Sequence, residues 1–307
     1  MRALLVGARR ARQGTGPFLA AALQEAGAEV CAIVGTRDAS VAAAREDLLN
    51  RLQIDCTGYT ELAAALAAEQ PDAVALCSPW RFHAEQLRQV AAAGCHCLVE
   101  KPLAWPASTG AVDDLIRPFE DNDRVLQMVT QWPLTLPAFE AVHGTRAKPA
   151  TSFEMGLSPI SIGADMITDA APHFISMLMA LVGPGYFAGV TVESEPGARP
   201  ERLTLSGDYG HGGGTCRATL SLITCPEPPR PAWYAINGVR ADREIELPGY
   251  QQYLAADGKR AALPDPLMEV AARFVTAVAA GHTDGDSLRT AHLNLLELAE
   301  AMPADLA

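Results

Sequence analysis

The chain has 307 residues, 49% of them hydrophobic and 20% charged, which is enough apolar material for two packed domains. Its formal net charge of -12 sets up a field that repels phosphate backbones and anionic lipid, so nucleic acid and membrane surfaces are excluded as natural partners. The apolar opening at residues 1–7 is too short for a signal peptide or a membrane span, and the odd count of seven cysteines suggests reduced core thiols and a cytoplasmic setting.

In chain order, residues 3–7 read as a short buried strand and Gly14-Thr15-Gly16-Pro17 as a break. Residues 18–26 have helical spacing, with Thr15 available as N-cap, a proline in the first turn and Gly27 as terminator. A strand is predicted at 29–34, an alanine-rich helix at 41–52, and a helix capped by Thr60 at 60–69. Residues 73–77 are apolar on both faces, 83–93 are helical up to Gly94, and 95–99 form another buried strand. Cys95-His96-Cys97 fits alternation along that strand better than a metal site, because it lacks Cys-x-x-Cys spacing and a second ligand pair. No other histidines share ligand spacing, so no metal is expected. Fully apolar strands alternating with amphipathic helices predict a doubly wound parallel sheet covered on both faces, over residues 1–125.

Residues 126–307 are expected to form a second, α+β domain. Strand-like segments at 125–130, 151–156, 189–194, 202–209, 215–224 and 233–238, several joined by Gly- or Pro-rich turns such as His211-Gly212-Gly213-Gly214, predict a mainly antiparallel sheet. Helices are predicted at 172–181, 265–280 and 287–301.

In a doubly wound sheet the ligand sits beyond the carboxyl ends of the strands. The turn after the first strand runs from Gly7 to Gly14-Thr15-Gly16, longer than the compact Gly-x-Gly-x-x-Gly. It still offers glycines for close backbone approach and a helix N-terminus for a pyrophosphate. At the end of the second strand, Thr36-Arg37 replaces the acidic residue that accepts from an NAD ribose. A guanidinium there suits a 2′-phosphate, so NADP(H) is expected, while Asp38 keeps NAD(H) open. Arg9, Arg10 and Arg12 either add cations to this site or form a solvated loop.

The fourth strand ends in Cys77-Ser78-Pro79 with His83 beyond it, and the fifth runs into Glu100-Lys101-Pro102. Farther on come Asp169-Ala170-Ala171-Pro172-His173, then Pro266-Leu267, Phe274 and the run 291–296. This set resembles the Gfo/Idh/MocA family, glucose-fructose oxidoreductase and inositol dehydrogenase with their relatives. The resemblance implies a Rossmann domain followed by a substrate and oligomerisation domain, an NAD(P)-dependent dehydrogenase or reductase, and a homodimer or homotetramer. Together with the residues read above, it makes Gly7, Arg9, Arg10, Gly14, Thr15, Gly16, Thr36, Arg37, Ser78, Pro79, His83, Glu100 and Lys101 the candidate cofactor side. Lys101 would face the reacting oxygen, followed by a Lys101–Pro102 bond that is often cis in relatives; His173 would carry the proton and Asp169 would position His173 or a substrate hydroxyl. A histidine titrates in the range this needs, and a lysine stabilises the developing alkoxide.

Where relatives carry a polar run such as Asn-Arg-Arg after the sixth strand, this sequence has Gln131-Trp132-Pro133-Leu134, with Gln131 and Trp132 as candidate substrate residues. With that substitution, the expanded first turn and a second domain that reads as short for the family, a less polar carbonyl or an imine fits at least as well as a sugar-like molecule, which stays the leading expectation. An imine reductase and a dinucleotide-binding sensor without turnover are the alternatives.

Overall fold

The computed structural model describes residues 1–9, 14–144, 149–197, 199–281 and 283–303. These fall into two compact units, one of residues 1–129 with 267–289, the other of 130–266 with 290–307.

The first unit is built from β1 (Arg2–Val6), α1 (Gly16–Glu25), β2 (Glu29–Val34), α2 (Asp38–Leu52), β3 (Thr57–Tyr59), α3 (Leu62–Glu69), β4 (Ala73–Leu76), α4 (His83–Ala92), β5 (His96–Val99), α5 (Thr109–Asp121) and β6 (Leu126–Met128). Its six strands are all parallel, in the order β3-β2-β1-β4-β5-β6. β1, β4 and β5 have almost no polar side chains and are buried throughout their centres, as a sheet covered on both faces requires. Neither β3 nor α5 is among the predicted elements. β3 has only three residues, one of them a glycine, too few to show a period. For α5 the signal is present in the chain: Ser108 accepts from the Ala111 amide as N-cap, and Val112, Leu115, Ile116 and Phe119 form the buried stripe.

The domain division differs from the expected boundary at 125/126. β6 hydrogen-bonds to β5 and so completes the first sheet. Residues 267–289 join the first unit as well. There Thr283 accepts from the Leu126 amide at 2.8 Å, and Arg289 pairs with Asp113 at 2.7 Å and Glu120 at 2.6 Å.

The second unit contains α6 (Leu136–His143), β7 (Ser152–Leu157), α7 (Asp165–Val182), β8 (Gly185–Ser194), β9 (Arg202–His211), β10 (Gly214–Ile223), β11 (Ala232–Ile236), β12 (Val239–Glu246), β13 (Gln251–Ala256) and β14 (Lys259–Leu263). The chain then forms α8 (Pro266–Ala280) and α9 (Gly285–Glu300). The eight strands are ordered β14-β13-β12-β11-β7-β10-β9-β8, antiparallel except for the β7–β10 pair. The mainly antiparallel expectation holds, and three strands, β12 to β14, extend the sheet beyond it.

α7 packs on this sheet through aromatic side chains. Phe174 stacks on Phe153 at 5.5 Å and on Phe187 at 5.9 Å between ring centroids, and Phe187 meets Tyr209 edge-on at 5.3 Å. Each fully buried Phe contributes roughly 1.5–3 kcal/mol, so this row sets the rotation of α7. The last helix is pinned by a buried amide: the side chain of Asn294 donates to the Gly185 carbonyl at 2.9 Å and accepts from the Phe187 amide at 3.1 Å.

Candidate functional site

The first unit lines up its candidate residues by register alone. Val6 pairs with both Val34 and Leu76, and Leu76 with Val99, all in parallel. The next residues in each strand, Gly7, Gly35, Cys77 and Glu100, therefore stand in one row at the carboxyl edge of the sheet. β1 and β4 are neighbours there although β2 follows β1 in sequence, which makes this the switch point where doubly wound sheets bind ligands.

Close packing dictates the glycines. Gly7 has a φ of +86°, and a Cβ on it would come within 2.9 Å of the Cys77 carbonyl group. A Cβ on Gly16 would overlap the Gly7 carbonyl oxygen, so α1 begins with its first turn against the end of β1. Thr15 has no capping hydrogen bond to the helix, contrary to expectation; its hydroxyl bonds the Cys77 sulfur instead. Burial pushes the Cys77 thiol up, out of the range of a reactive thiolate. Gly14 is half-buried and Arg9 exposed, while Arg10 and Arg12 lie outside the described residues.

Thr36 and Arg37 are exposed beyond β2. The Arg37 carbonyl accepts from the Ser40 hydroxyl at 2.7 Å and from the Ser40 amide at 2.9 Å, which fixes the backbone where α2 begins. Asp38 is the first residue of that helix.

His83 holds the other end of the row together. It is 0% exposed, with Nδ1 at 2.9 Å from the Pro102 carbonyl and Nε2 at 2.8 Å from the Ser78 carbonyl. It thus ties the loop after β4 to the loop after β5, and its place is that of a clamp between loops, not of a group offered to a ligand. Both ring nitrogens face acceptors, which favours protonation, but desolvation outweighs them and holds His83 below the usual histidine range. Ser78 donates to the Gln86 side chain at 2.5 Å, and Pro79 is exposed. Lys101 is half-buried and the Lys101–Pro102 bond is cis. Glu100 Oε1 is buried with no hydrogen-bond partner. A buried carboxylate oxygen calls for a donor. A ribose hydroxyl supplies one, and the start of α1 at Gly16 is a helix N-terminus of the kind that binds a pyrophosphate. The residues of this edge fit a dinucleotide.

The second unit brings together a different set. Asp169 and His173 both lie on α7, which starts at Asp165, well before the expected start at Pro172. Proline favours first turns, yet Pro172 sits inside the helix. Asp169 is therefore not a helix cap. The four-residue spacing puts Asp169 and His173 on one face, both half-buried, while Ala170 and Phe174 face the sheet. Ser161 donates to Asp169 Oδ2 at 3.2 Å. The His173 ring lies 6.4 Å from that of Trp132, which is 5% exposed and opens a short 3-10 turn at 132–135, with the half-buried Gln131 just before it. Tyr234 meets Trp132 edge-on at 6.2 Å, and the Arg243 guanidinium lies 5.3 Å from the Trp132 ring centre. Tyr234 and Arg243 were not among the sequence candidates. Both come from strands far along the chain, and β12, which carries Arg243, has too few buried positions to stand out.

The remaining histidines that are described have local tasks. His211 accepts from the Gly213 amide within the β9–β10 hairpin, and His143 Nε2 lies 3.0 Å from the Arg240 carbonyl. His282 is outside the described residues. Among the described residues no three His, Cys, Asp or Glu side chains cluster as a metal site, and no helix is long and apolar enough to cross a membrane. All seven cysteines are free.

Residues 1–130 match the oxidoreductase family with an NAD-binding Rossmann fold, Gfo/Idh/MocA. The Gfo/Idh/MocA resemblance seen in Glu100-Lys101-Pro102 is thereby met, and with it an oxidoreductase with an NAD-binding domain. No curated protein matches the chain. Solved structures show the same fold over both halves. UDP-N-acetylglucosamine 3-dehydrogenase GnnA from Acidithiobacillus ferrooxidans is 20% identical, with a TM-score of 0.73 over 100% of this chain and 99% of its own. Levoglucosan dehydrogenase, in complex with NADH and levoglucosan, is 14% identical, with a TM-score of 0.72 over 98% and 96%. The WlbA (WbpB) dehydrogenase from Thermus thermophilus, in complex with NAD and UDP-GlcNAcA, is 17% identical, with a TM-score of 0.69 over 99% and 95%. These coverages correct the expectation of a short second domain: the chain is as long as these structures.

Proposed function

We propose that the protein transfers a hydride between NADP(H) and a carbonyl or hydroxyl carbon of a small, sugar-like molecule. The observation that carries the reading is the row of strand ends, which sets Gly7, the Thr36-Arg37 corner, Ser78 and Glu100-Lys101 along one sheet edge. When bound, the nicotinamide gives or takes the hydride. The first turn of α1 and the glycines at 7 and 16 receive the pyrophosphate, and Glu100 accepts from a ribose hydroxyl. Arg37 favours the 2′-phosphorylated cofactor, because a guanidinium pairs with phosphate oxygens. Lys101 stabilises negative charge on the substrate oxygen, His173 carries its proton, and Asp169 on the same helix face positions His173. The sugar-like substrate is supported by the sugars and sugar nucleotides named for the similar structures.

The imine alternative loses its length argument to those same coverages, and no observation favours a sensor without turnover. A second copy of the chain is the expected partner, with sedimentation velocity as the check. The deciding experiment titrates NADPH and NADH separately, then follows absorbance at the nicotinamide band against a panel of sugars, their keto forms and cyclic imines. Tighter NADPH binding with turnover of sugars supports the proposal; turnover confined to imines overturns it.

A further inference from the structure

Arg243 has more hydrogen-bonding capacity than its surroundings use. On β12 it pairs with Ala232, two positions from the Tyr234–Ala241 pair, so it stands on the same sheet face as those two fully buried residues. A guanidinium has five N–H donors. In Arg243, Nη2 donates to the Arg230 carbonyl at 2.9 Å, the cation lies against the Trp132 ring, and the Nε–H is buried with no acceptor. Burial first, and then the like charge of Arg230, pull Arg243 down to about 10, which leaves it charged at neutral pH. A half-buried cation with an unmatched Nε–H costs stability, and a ligand oxyanion removes that cost by supplying both acceptor and charge.

Its position relative to His173 gives the site a use. Trp132 touches both groups, with the His173 ring 6.4 Å away and the Arg243 guanidinium 5.3 Å away. The proton carrier and the guanidinium thus share one buried indole as a neighbour, which keeps both within the reach of one sugar-sized molecule. We propose that Arg243 recognises an oxyanion on the substrate, so that the sugar-like molecule carries a carboxylate or a phosphate away from its reacting carbon. This rests on the hydride-transfer reading above and names the substrate class for it. Trp132, which makes a less polar carbonyl or an imine attractive from sequence, is a buried side chain packed against both polar groups.

The test uses the full-length protein with its nicotinamide cofactor and four substrates of matched sugar ring: a neutral hexose, its uronate, its 6-phosphate and its UDP ester. At least one anionic form is expected to exceed the neutral hexose in kcat/KM by about tenfold or more, and Arg243→Met to collapse that ratio mainly through KM. Arg243→Lys, which keeps the charge but not the fork, should restore part of it. Which anion is preferred tells carboxylate from phosphate. If the wild-type protein uses the neutral hexose as well as every anion, the inference is overturned and the hydride-transfer reading stands. If no sugar is turned over although NADPH binds, that reading fails, and calorimetry with the uronate, the hexose phosphate and inorganic phosphate decides Arg243 independently. Binding heat abolished by Arg243→Met supports the oxyanion site; no heat, or heat equal in the variant, overturns it. Should Arg243→Met fail to fold by circular dichroism, the wild-type preference and the Arg243→Lys ratio decide alone.

Discussion

The two candidate half-sites are made by different means. At the edge of the parallel sheet the placement is done by backbone: strand register levels Gly7, Gly35, Cys77 and Glu100, and close-packed carbonyls leave room for hydrogen alone at Gly7 and Gly16. In the second unit the placement is done by side chains. Trp132, His173, Tyr234 and Arg243 come from a turn, a helix and two strands, and meet through rings and a cation. A site of the first kind tolerates change in most side chains but none in its glycines. A site of the second kind can change its ligand by one substitution.

The sharpest way to break this comparison is at Lys101, the side chain on the backbone-built edge to which chemistry is assigned. Lys101→Met should lower kcat by about 10²–10³-fold, the cost of removing one group that stabilises an oxyanion. NADPH affinity, measured by fluorescence titration, should stay within about threefold, because backbone holds the pyrophosphate. Full turnover in the variant would remove Lys101 from the mechanism.

Gly16→Ala tests the backbone itself. The added methyl overlaps the Gly7 carbonyl, so either α1 shifts or the turn opens. Calorimetry should show cofactor affinity down by about tenfold or more, the 1.4 kcal/mol equivalent of a displaced anion site. Substitution of Trp132 by Phe, on the other half, should leave cofactor affinity unchanged and move only substrate KM. If Gly16→Ala left NADPH binding intact, the claim that close packing shapes this edge would fail.

The same contrast explains what the sequence reveals. Strands β1, β2, β4 and β5 are apolar on both faces and follow one another at helix-length intervals, so their sheet and its carboxyl edge are legible, and the residues after each strand end are the candidates. His173 and Asp169 are legible as a spacing, although Pro172 misplaces the start of their helix. Arg243 and Tyr234 are not legible. Their meeting with Trp132 depends on β11–β12 pairing and on the packing of the 132–135 turn, and nothing local in 232–246 announces either. Thr15 misleads for a related reason: its hydroxyl serves a contact to Cys77, distant in sequence, in place of the local cap.

A smaller effect is expected at Arg37. Arg37→Asp should reverse the preference for NADPH over NADH, with a combined change of roughly 10–100-fold in the ratio of kcat/KM values, since a guanidinium–phosphate pair is exchanged for repulsion of the same phosphate. Steady-state kinetics with both cofactors reads this directly. An unchanged ratio would mean that Arg37, exposed at the N-terminus of α2, does not meet the ribose.

The smallest effect is a pH dependence at His83, the one side chain that clamps the backbone-built edge. Desolvation, the larger influence, depresses its folded pKa below the unfolded value of about 6.5, against the pull of the Pro102 and Ser78 carbonyls and of Glu100. A depressed pKa means that the unfolded chain takes up the proton first. The stability contributed by neutral His83 is therefore fully present above about pH 6.5 and is lost as pH falls toward and through the folded pKa. His96 is shifted the same way, by burial and then by Arg124, and adds to the slope in the same window. Urea unfolding between about pH 5 and pH 7.5 should show stability declining on the acid side by at most about 1.4 kcal/mol per pH unit for each proton taken up. His83→Gln removes one of the two titrations, so its slope should be flatter than that of the wild type while the residual His96 slope persists. Parallel slopes would show that folded and unfolded chains hold the His83 proton equally well, the two carbonyls offsetting desolvation in full.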